Sequence, residues 1–393
     1  MRKVLPLAAL LLSCGVGRKS VGEFKLNAEP ASGGPAFSRA LYQSVGVELK
    51  PGNAIEVVNN GAVFDRAIAD IARAQSSVHI ETFIWADGRV SDRLIEALSA
   101  RAKKARVQCR VIVDAVGSMK FADIQKRLEE GGCEVHKIRP LPGQDDLARM
   151  HRKIMIIDGR IAYTGGFGID DKWMGHGHSD DPPEWRDSNL RVRGPAVKGM
   201  QQAFAENWQE AGGKLLPAEA FPDEPQPGHA AAGFVTSTDH GVVTKGDRLT
   251  QLFIAAAKKR VWISNAYFVP STPILELLER KAREGVDVRV LAAGDKTDTP
   301  AYLKTQRERM DQLVKAGARA YEYEPAMMHG KTMLVDDSLV SVGSCNLDAL
   351  SLNKLDEGAL VVDDPRVAQE EERHFLEDVS HSRQRLGAQT AQR

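Results

Sequence analysis

Excess charge of either sign is missing from this sequence. Its 393 residues carry 53 Lys and Arg against 53 Asp and Glu, a formal net charge of zero. A sequence-independent nucleic-acid binder relies on a basic surplus to release counterions, so no nucleic-acid partner is expected, although a local basic site stays open. Long apolar runs are missing too. The stretch from Val4 to Leu12 falls well short of the roughly 20 residues that span a bilayer, and no other segment approaches that length. Cysteine is scarce: beyond Cys14 there are Cys109, Cys133 and Cys345, an odd number with no pair at metal-ligand spacing. No disulfide framework and no metal site are indicated, and the three are expected as small buried residues. Aromatics make up 6%, which suits core and pocket walls at Trp185, Trp208, Tyr267 and Phe268 better than a stacking platform for bases. Gly and Pro follow no fixed period, which excludes a fibrous chain.

What is present is ordinary globular composition, 42% hydrophobic, in a chain long enough for two domains. Segment 76–85, "SSVHIETFIW", is rich in β-branched and aromatic residues and reads as a strand. Segment 91–105 has helical spacing with Ser91 as a candidate cap, and 107–118 is an apolar run ending in a turn. The same strand, helix, strand order returns at 259–270, 271–285 and 286–295. That alternation predicts α/β architecture, and a repeat of this length predicts duplication of a whole domain. Four prolines between Leu216 and Phe234 mark a linker. The charged C-terminal segment reads as a solvated helix that frays. The "HGH" at His176 to His178 reads as loop, with a ligand role disfavoured.

The repeat carries one motif twice. "MHRKIMIID" begins at Met150, and "MHGKTMLVD" begins 178 residues later at Met328. In each copy an apolar run, a turn-prone Asp (Asp158, Asp336) and a second apolar run predict a β-hairpin. Residues two apart on a strand share a face, so His151 pairs with Lys153, and His329 with Lys331. If the halves meet about a pseudo-twofold axis, two imidazoles and two ammonium groups converge on one cleft. Such a cleft suits a phosphodiester: lysines stabilise the non-bridging oxygens, one imidazole attacks phosphorus and the other protonates the leaving oxygen. Asp158 and Asp336 have the opposite parity and are expected to support the hairpins rather than touch substrate.

The frame filled by His151, Lys153, Asp158 and Gly165, and again by His329, Lys331, Asp336 and Gly343, resembles the double HKD signature of the phospholipase D superfamily. The likeness runs from about residue 45 to 380. Flanks such as "EWRDSNLRVRGPAV", "NAYFVP" and "VGSCNLDALSLNKLDE" are similar to the bacterial cardiolipin synthase branch. The resemblance implies two duplicated α/β/α sandwich domains related by a pseudo-twofold axis, over 45–215 and 235–385, with the active site at their interface and 216–234 as linker. It implies a phosphohistidine intermediate on His151, with His329 as acid and then base, and a carboxylate, Glu357 or Asp187, on each imidazole. It places Ser344 and Asn346 at phosphate-contacting positions of the second copy. No cofactor, metal or obligate protein partner is implied; the expected substrate is a phospholipid such as phosphatidylglycerol. One departure stands out: the first copy has Gly168 where the family places Asn.

The start of the chain adds a location. Arg2 and Lys3, a short apolar stretch and "LLSC" resemble an export signal with a lipobox, implying cleavage before Cys14 and a lipid on its thiol. Residues 1–14 would then be signal peptide and 15–44 a flexible tether to a cell-envelope membrane; an uncleaved apolar start is the alternative. Several activities stay open at this stage. The leading expectation is phosphatidyl transfer of cardiolipin synthase type. The rivals are hydrolysis to phosphatidic acid, a nuclease-type phosphodiesterase, and a lipid-binding protein without catalysis.

Overall fold

Pairing at the centre of the sheet explains the rest of the architecture. The computed structural model describes residues 24–105, 107–140, 148–223, 225–238 and 243–387. The first half contributes strands β1 (Lys50–Val57), β2 (Ser77–Thr82), β3 (Gln108–Asp114), β4 (Cys133–Ile138), β5 (Ile154–Ile157), β6 (Ile161–Gly165) and β7 (Asn189–Arg193). The second contributes β8 (Ala230–Ser237), β9 (Arg260–Asn265), β10 (Asp287–Ala293), β11 (Arg319–Tyr323), β12 (Lys331–Val335), β13 (Leu339–Gly343) and β14 (Glu357–Asp363), with β15 (Ser382–Arg385) added at its edge. The order is β15-β11-β10-β9-β12-β13-β14-β8-β1-β7-β6-β5-β2-β3-β4. Read outward from the antiparallel β1–β8 pair, both halves give the same sequence of strands, which is the pseudo-twofold.

Helices cover both faces. Between strands lie α2 (Ala62–Ile71), α3 (Arg89–Ala105) and α4 (Ala122–Glu130) in the first half, matched by α6 (Lys245–Ala256), α7 (Thr272–Arg283) and α8 (Leu303–Lys315) in the second. In α3 the spacing Val90, Leu94, Leu98 lays three fully buried side chains on one stripe. The last helices, α5 (Ala196–Glu210) and α10 (Pro365–Ser380), reach across the axis: α5 packs on β8 and α10 on β1. They tie the halves into one body. Among the described residues no helix is long and apolar enough to cross a membrane.

Several sequence expectations shift here. Part of the predicted tether is helix α1 (Gly34–Val45), whose Phe37, Leu41 and Val45 are buried against the second half, Phe37 edge-on to Phe253 of α6. Local polarity hid it, because its apolar stripe is only three residues wide. Strand β8 starts inside the predicted linker, at Ala230. Ser91 does not cap α3: the helix begins at Arg89, its first N–H groups donate to Asp171, and Ser91 is buried, accepting from the Trp85 indole at 2.8 Å. The C-terminal segment does not fray within the described residues; α10 buries Phe375, Glu371 and Asp378, and β15 joins β11. Cys109 and Cys133 form a disulfide. They are direct register partners on parallel neighbours β3 and β4, a placement that needs the strand order and is invisible in spacing. Cys345 is a free thiol, and Cys14 lies outside the described residues.

Candidate active site

Each copy of the motif enters its hairpin through an extended stretch that is held by the opposite half. His151 N donates to Asp356 O at 2.9 Å and Asp356 N to Arg149 O at 2.8 Å; His329 N donates to Arg186 O at 2.7 Å and Arg186 N to Met327 O at 2.9 Å. These reciprocal bridges bring each histidine beside the other half's carboxylate. His151 Nδ1 lies 2.8 Å from Glu357 Oε1, and His329 Nδ1 lies 2.9 Å from Asp187 Oδ2. A carboxylate accepting from Nδ1–H fixes the tautomer and leaves Nε2 for reaction. Lys153 and Lys331 fold back to donate to the carbonyls of His151 and His329. The duplicated motif thus builds one site from two half-sites, each finished by the other.

Burial sets the electrostatics. All six groups are at least nine-tenths buried. Desolvation pulls Lys153 down to about 7, with nearby Lys331 adding to the fall and Glu357 opposing it. Lys331 is pulled to about 8 by the same burial, against the pull of Asp187 and Glu357. Burial also lowers both imidazoles, His329 well below its ordinary value, with Lys331, Lys153 and His151 pushing the same way. The two half-sites therefore lie within electrostatic reach of one another. The two carboxylates differ: burial raises Asp187 to about 6, whereas at Glu357 the burial penalty is outweighed by His151, Lys153 and Ser344, so it stays below the ordinary value. Burial thus disfavours the charged forms of both imidazoles and both lysines. An entering anion would restore the missing positive charge.

His151, Lys153, His329, Lys331, Asp187 and Glu357 come together as the motif predicts. Asp158 and Asp336 stand apart, at the far ends of the hairpins, with positive φ of 55° and 49°. Asp158 accepts from the backbone of Gln75, Ser76 and Ser77, and Asp336 from that of Lys258, Lys259 and Arg260. Each aspartate therefore stitches its hairpin to the start of β2 or β9. Ser344 points its hydroxyl at Glu357 and accepts from Gly358 N at 3.1 Å, so its proton serves the carboxylate. Asn346 is 3% exposed and its Oδ1 is buried without a partner. Three contributors escaped the sequence reading. Ser351 donates to Glu357, Trp173 donates to Asp187 at 2.8 Å, and Asp114 accepts from Met150 N at 3.0 Å and Arg149 Nε at 3.1 Å. No residue type marks a serine or tryptophan for this duty; only the path of the chain does. His178, in the predicted loop, meets the Tyr323 hydroxyl at 3.1 Å.

The chain matches the family described as "Cardiolipin synthase, PLD-like domain" over residues 67–208 and again over 251–379, one match in each half. It is 30% identical over 364 residues to cardiolipin synthase 1 of Bacillus cereus, covering 89% of this chain and 68% of that protein. It is 31% identical over 339 residues to cardiolipin synthase A of Pseudomonas putida, covering 84% of this chain and 68% of that one. In fold it is similar to the phosphatidylserine synthase of Haemophilus influenzae Rd KW20, with a TM-score of 0.64 at 12% identity over 89% of this chain and 92% of that one. The two half-sites, the two matches and the relatives agree: the chain belongs to the cardiolipin synthase family of phospholipase D-like proteins.

Proposed function

We propose that this protein is a cardiolipin synthase-type phosphatidyltransferase that acts on phospholipid phosphodiesters through a phosphohistidine. The observation that carries the reading is the crossed pair of imidazole–carboxylate contacts, His151 with Glu357 and His329 with Asp187, flanked by two buried lysines. Nε2 of His151 attacks phosphorus of phosphatidylglycerol. The bond from phosphorus to the glycerol oxygen breaks, and His329 gives that oxygen its proton, releasing glycerol. His329, now neutral, takes the proton from the hydroxyl of a second phosphatidylglycerol, whose oxygen attacks phosphorus and frees His151. The products are cardiolipin and glycerol. Lys153 and Lys331 offset charge on the non-bridging oxygens throughout, so the scheme needs no metal.

His151 suits the nucleophile because its partner Glu357 stays ionised, held by Ser344 and Ser351. His329 must be protonated in the first step, although burial depresses it in the free site. The bound phosphodiester anion supplies the compensating charge. Lipidation of Cys14 would keep the enzyme at a cell-envelope membrane, and a disulfide at Cys109 and Cys133 fits an oxidising compartment outside the cytosol. Intact-mass measurement of the mature N-terminus tests the anchor: a Cys14 without diacylglycerol rejects it.

The activity test uses purified protein, phosphatidylglycerol vesicles and a chelator, with products resolved by mass spectrometry. Cardiolipin and glycerol, lost in both His151→Ala and His329→Ala, are the expected result. Phosphatidic acid alone would make the same site a hydrolase, and undiminished activity in either variant would reject the mechanism.

A further inference from the structure

The two copies of the motif are not equivalent where they meet the carboxylates, and their differences fit one another. The 178-residue offset carries Gly166, Gly168, Asp170 and Trp173 onto Ser344, Asn346, Asp348 and Ser351. The correspondence is structural as well. Asp170 caps the 3-10 turn that ends at Trp173, accepting from Lys172 N, and Asp348 caps helix α9 (Ala349–Lys354), accepting from Leu350 N and Ser351 N. Residues 173 and 351 therefore sit at the same place in the two half-sites.

In the second copy Ser344 and Ser351 both donate to Glu357. In the first copy the counterpart of Ser344 cannot carry a hydroxyl without displacing Asp187: a Cβ on Gly166 would lie 2.3 Å from Asp187 Oδ1. The donor is instead the Trp173 indole, with Nε1 at 2.8 Å from Asp187 Oδ2. Its ring needs space, and that space lies above Gly168, where a Cβ would stand 2.8 Å from Trp173 Cζ3 and 3.3 Å from Ile84 Cβ. A side chain at 168 and the indole at 173 compete for this space. The same ring packs edge-on to His329 at 5.2 Å and against Trp185 at 4.6 Å. Only the second copy has an amide at this place, the buried Asn346.

We infer that Trp173 is the positioning residue of the Asp187–His329 pair, and that its indole takes the space a side chain at 168 would need. The positioning role rests on the phosphatidyl-transfer reading above; the exchange of space does not. The cleft is then asymmetric by construction, with a hydroxyl-braced carboxylate behind His151 and an indole-braced one behind His329.

The test measures thermal midpoint and the pH profile of phosphatidyl transfer in full-length Trp173→Phe, Gly168→Asn, Trp173→Ser and the Gly168→Asn/Trp173→Ser double variant. Trp173→Phe keeps an aromatic ring, though a smaller one, and removes a hydrogen bond to a charged group, so kcat is expected to fall roughly 10- to 100-fold. The ionised carboxylate of Asp187 also faces His329, Lys331, Arg186 and Ser188 N. With the indole N–H gone its ionised form is less favoured, and the acidic limb of the profile should move to higher pH. Gly168→Asn alone should lower both midpoint and rate, and the double variant should recover much of both.

An unmoved acidic limb in Trp173→Phe would reduce Trp173 to packing and overturn the positioning role. Additive losses in the double variant would overturn the exchange. If the wild type shows no transfer at all, the functional reading fails, while recovery or non-recovery of the thermal midpoint still decides the exchange.

Discussion

At the scale of single residues the site is a balance of buried charge. Lys153 near 7 and Lys331 near 8 hold their protons only weakly because burial disfavours the ammonium form. A bound anion favours that form and raises both values, so binding takes up protons. It is strongest below the free-site values and weakens as pH rises through about 7 to 8 toward the values in the complex. Titration of the protein with inorganic phosphate or vanadate by calorimetry in two buffers of different ionisation enthalpy should reveal that uptake; affinity independent of pH between 6 and 9 would contradict it. Glu357→Gln keeps the size of the side chain but removes its charge, and kcat is expected to fall on the order of 10²- to 10⁴-fold, as when a catalytic histidine loses its orienting carboxylate. The histidines, lysines and carboxylates could be read from the sequence because motif, parity and family likeness all mark them. Ser351 and Trp173 could not, since either becomes a donor only when the capped turn behind the motif folds back onto the carboxylate.

At the scale of elements the motif aspartates are fasteners. Asp158 takes three consecutive backbone N–H groups at the start of β2, so Asp158→Ala is expected to cost about 1–3 kcal/mol or more, the penalty of leaving such donors unpaired. Denaturant melts measure the loss, and the specific activity of the folded fraction should stay near wild type. A collapse of activity without loss of stability would place Asp158 in the chemistry instead. The sequence conveyed the strands and main helices well, because period and burial agree in β2, β3 and α3. It conveyed ends poorly. Asp171, distant in sequence, caps α3 in place of the local Ser91, and the narrow apolar stripe of α1 looked like tether until Phe253 gave it something to cover.

At the scale of the whole molecule the pseudo-twofold converts a duplicated sequence into one site. Duplication was legible in the repeat; the crossing was not, because nothing local says that Glu357 serves His151 while Asp187 serves His329. The buried Arg186–Asp378 pair, 2.8 Å apart, links α10 to the segment whose carbonyl receives His329 N–H. Removing one partner from such a pair costs about 3–5 kcal/mol, so Asp378→Ala should lower stability and slow transfer together, and unchanged melts would argue that α10 does not hold the halves in place. The central claim, that His151 attacks and His329 moves the proton, is tested most directly by mapping the covalent intermediate. Phosphatidylglycerol carrying radiolabelled phosphorus is mixed with enzyme, quenched at neutral to basic pH, and the labelled peptides are identified by mass spectrometry. The label is expected on His151, absent from His151→Ala, and enriched in His329→Ala if any attack survives there; label on His329 in the wild type, or on neither histidine, would contradict the account.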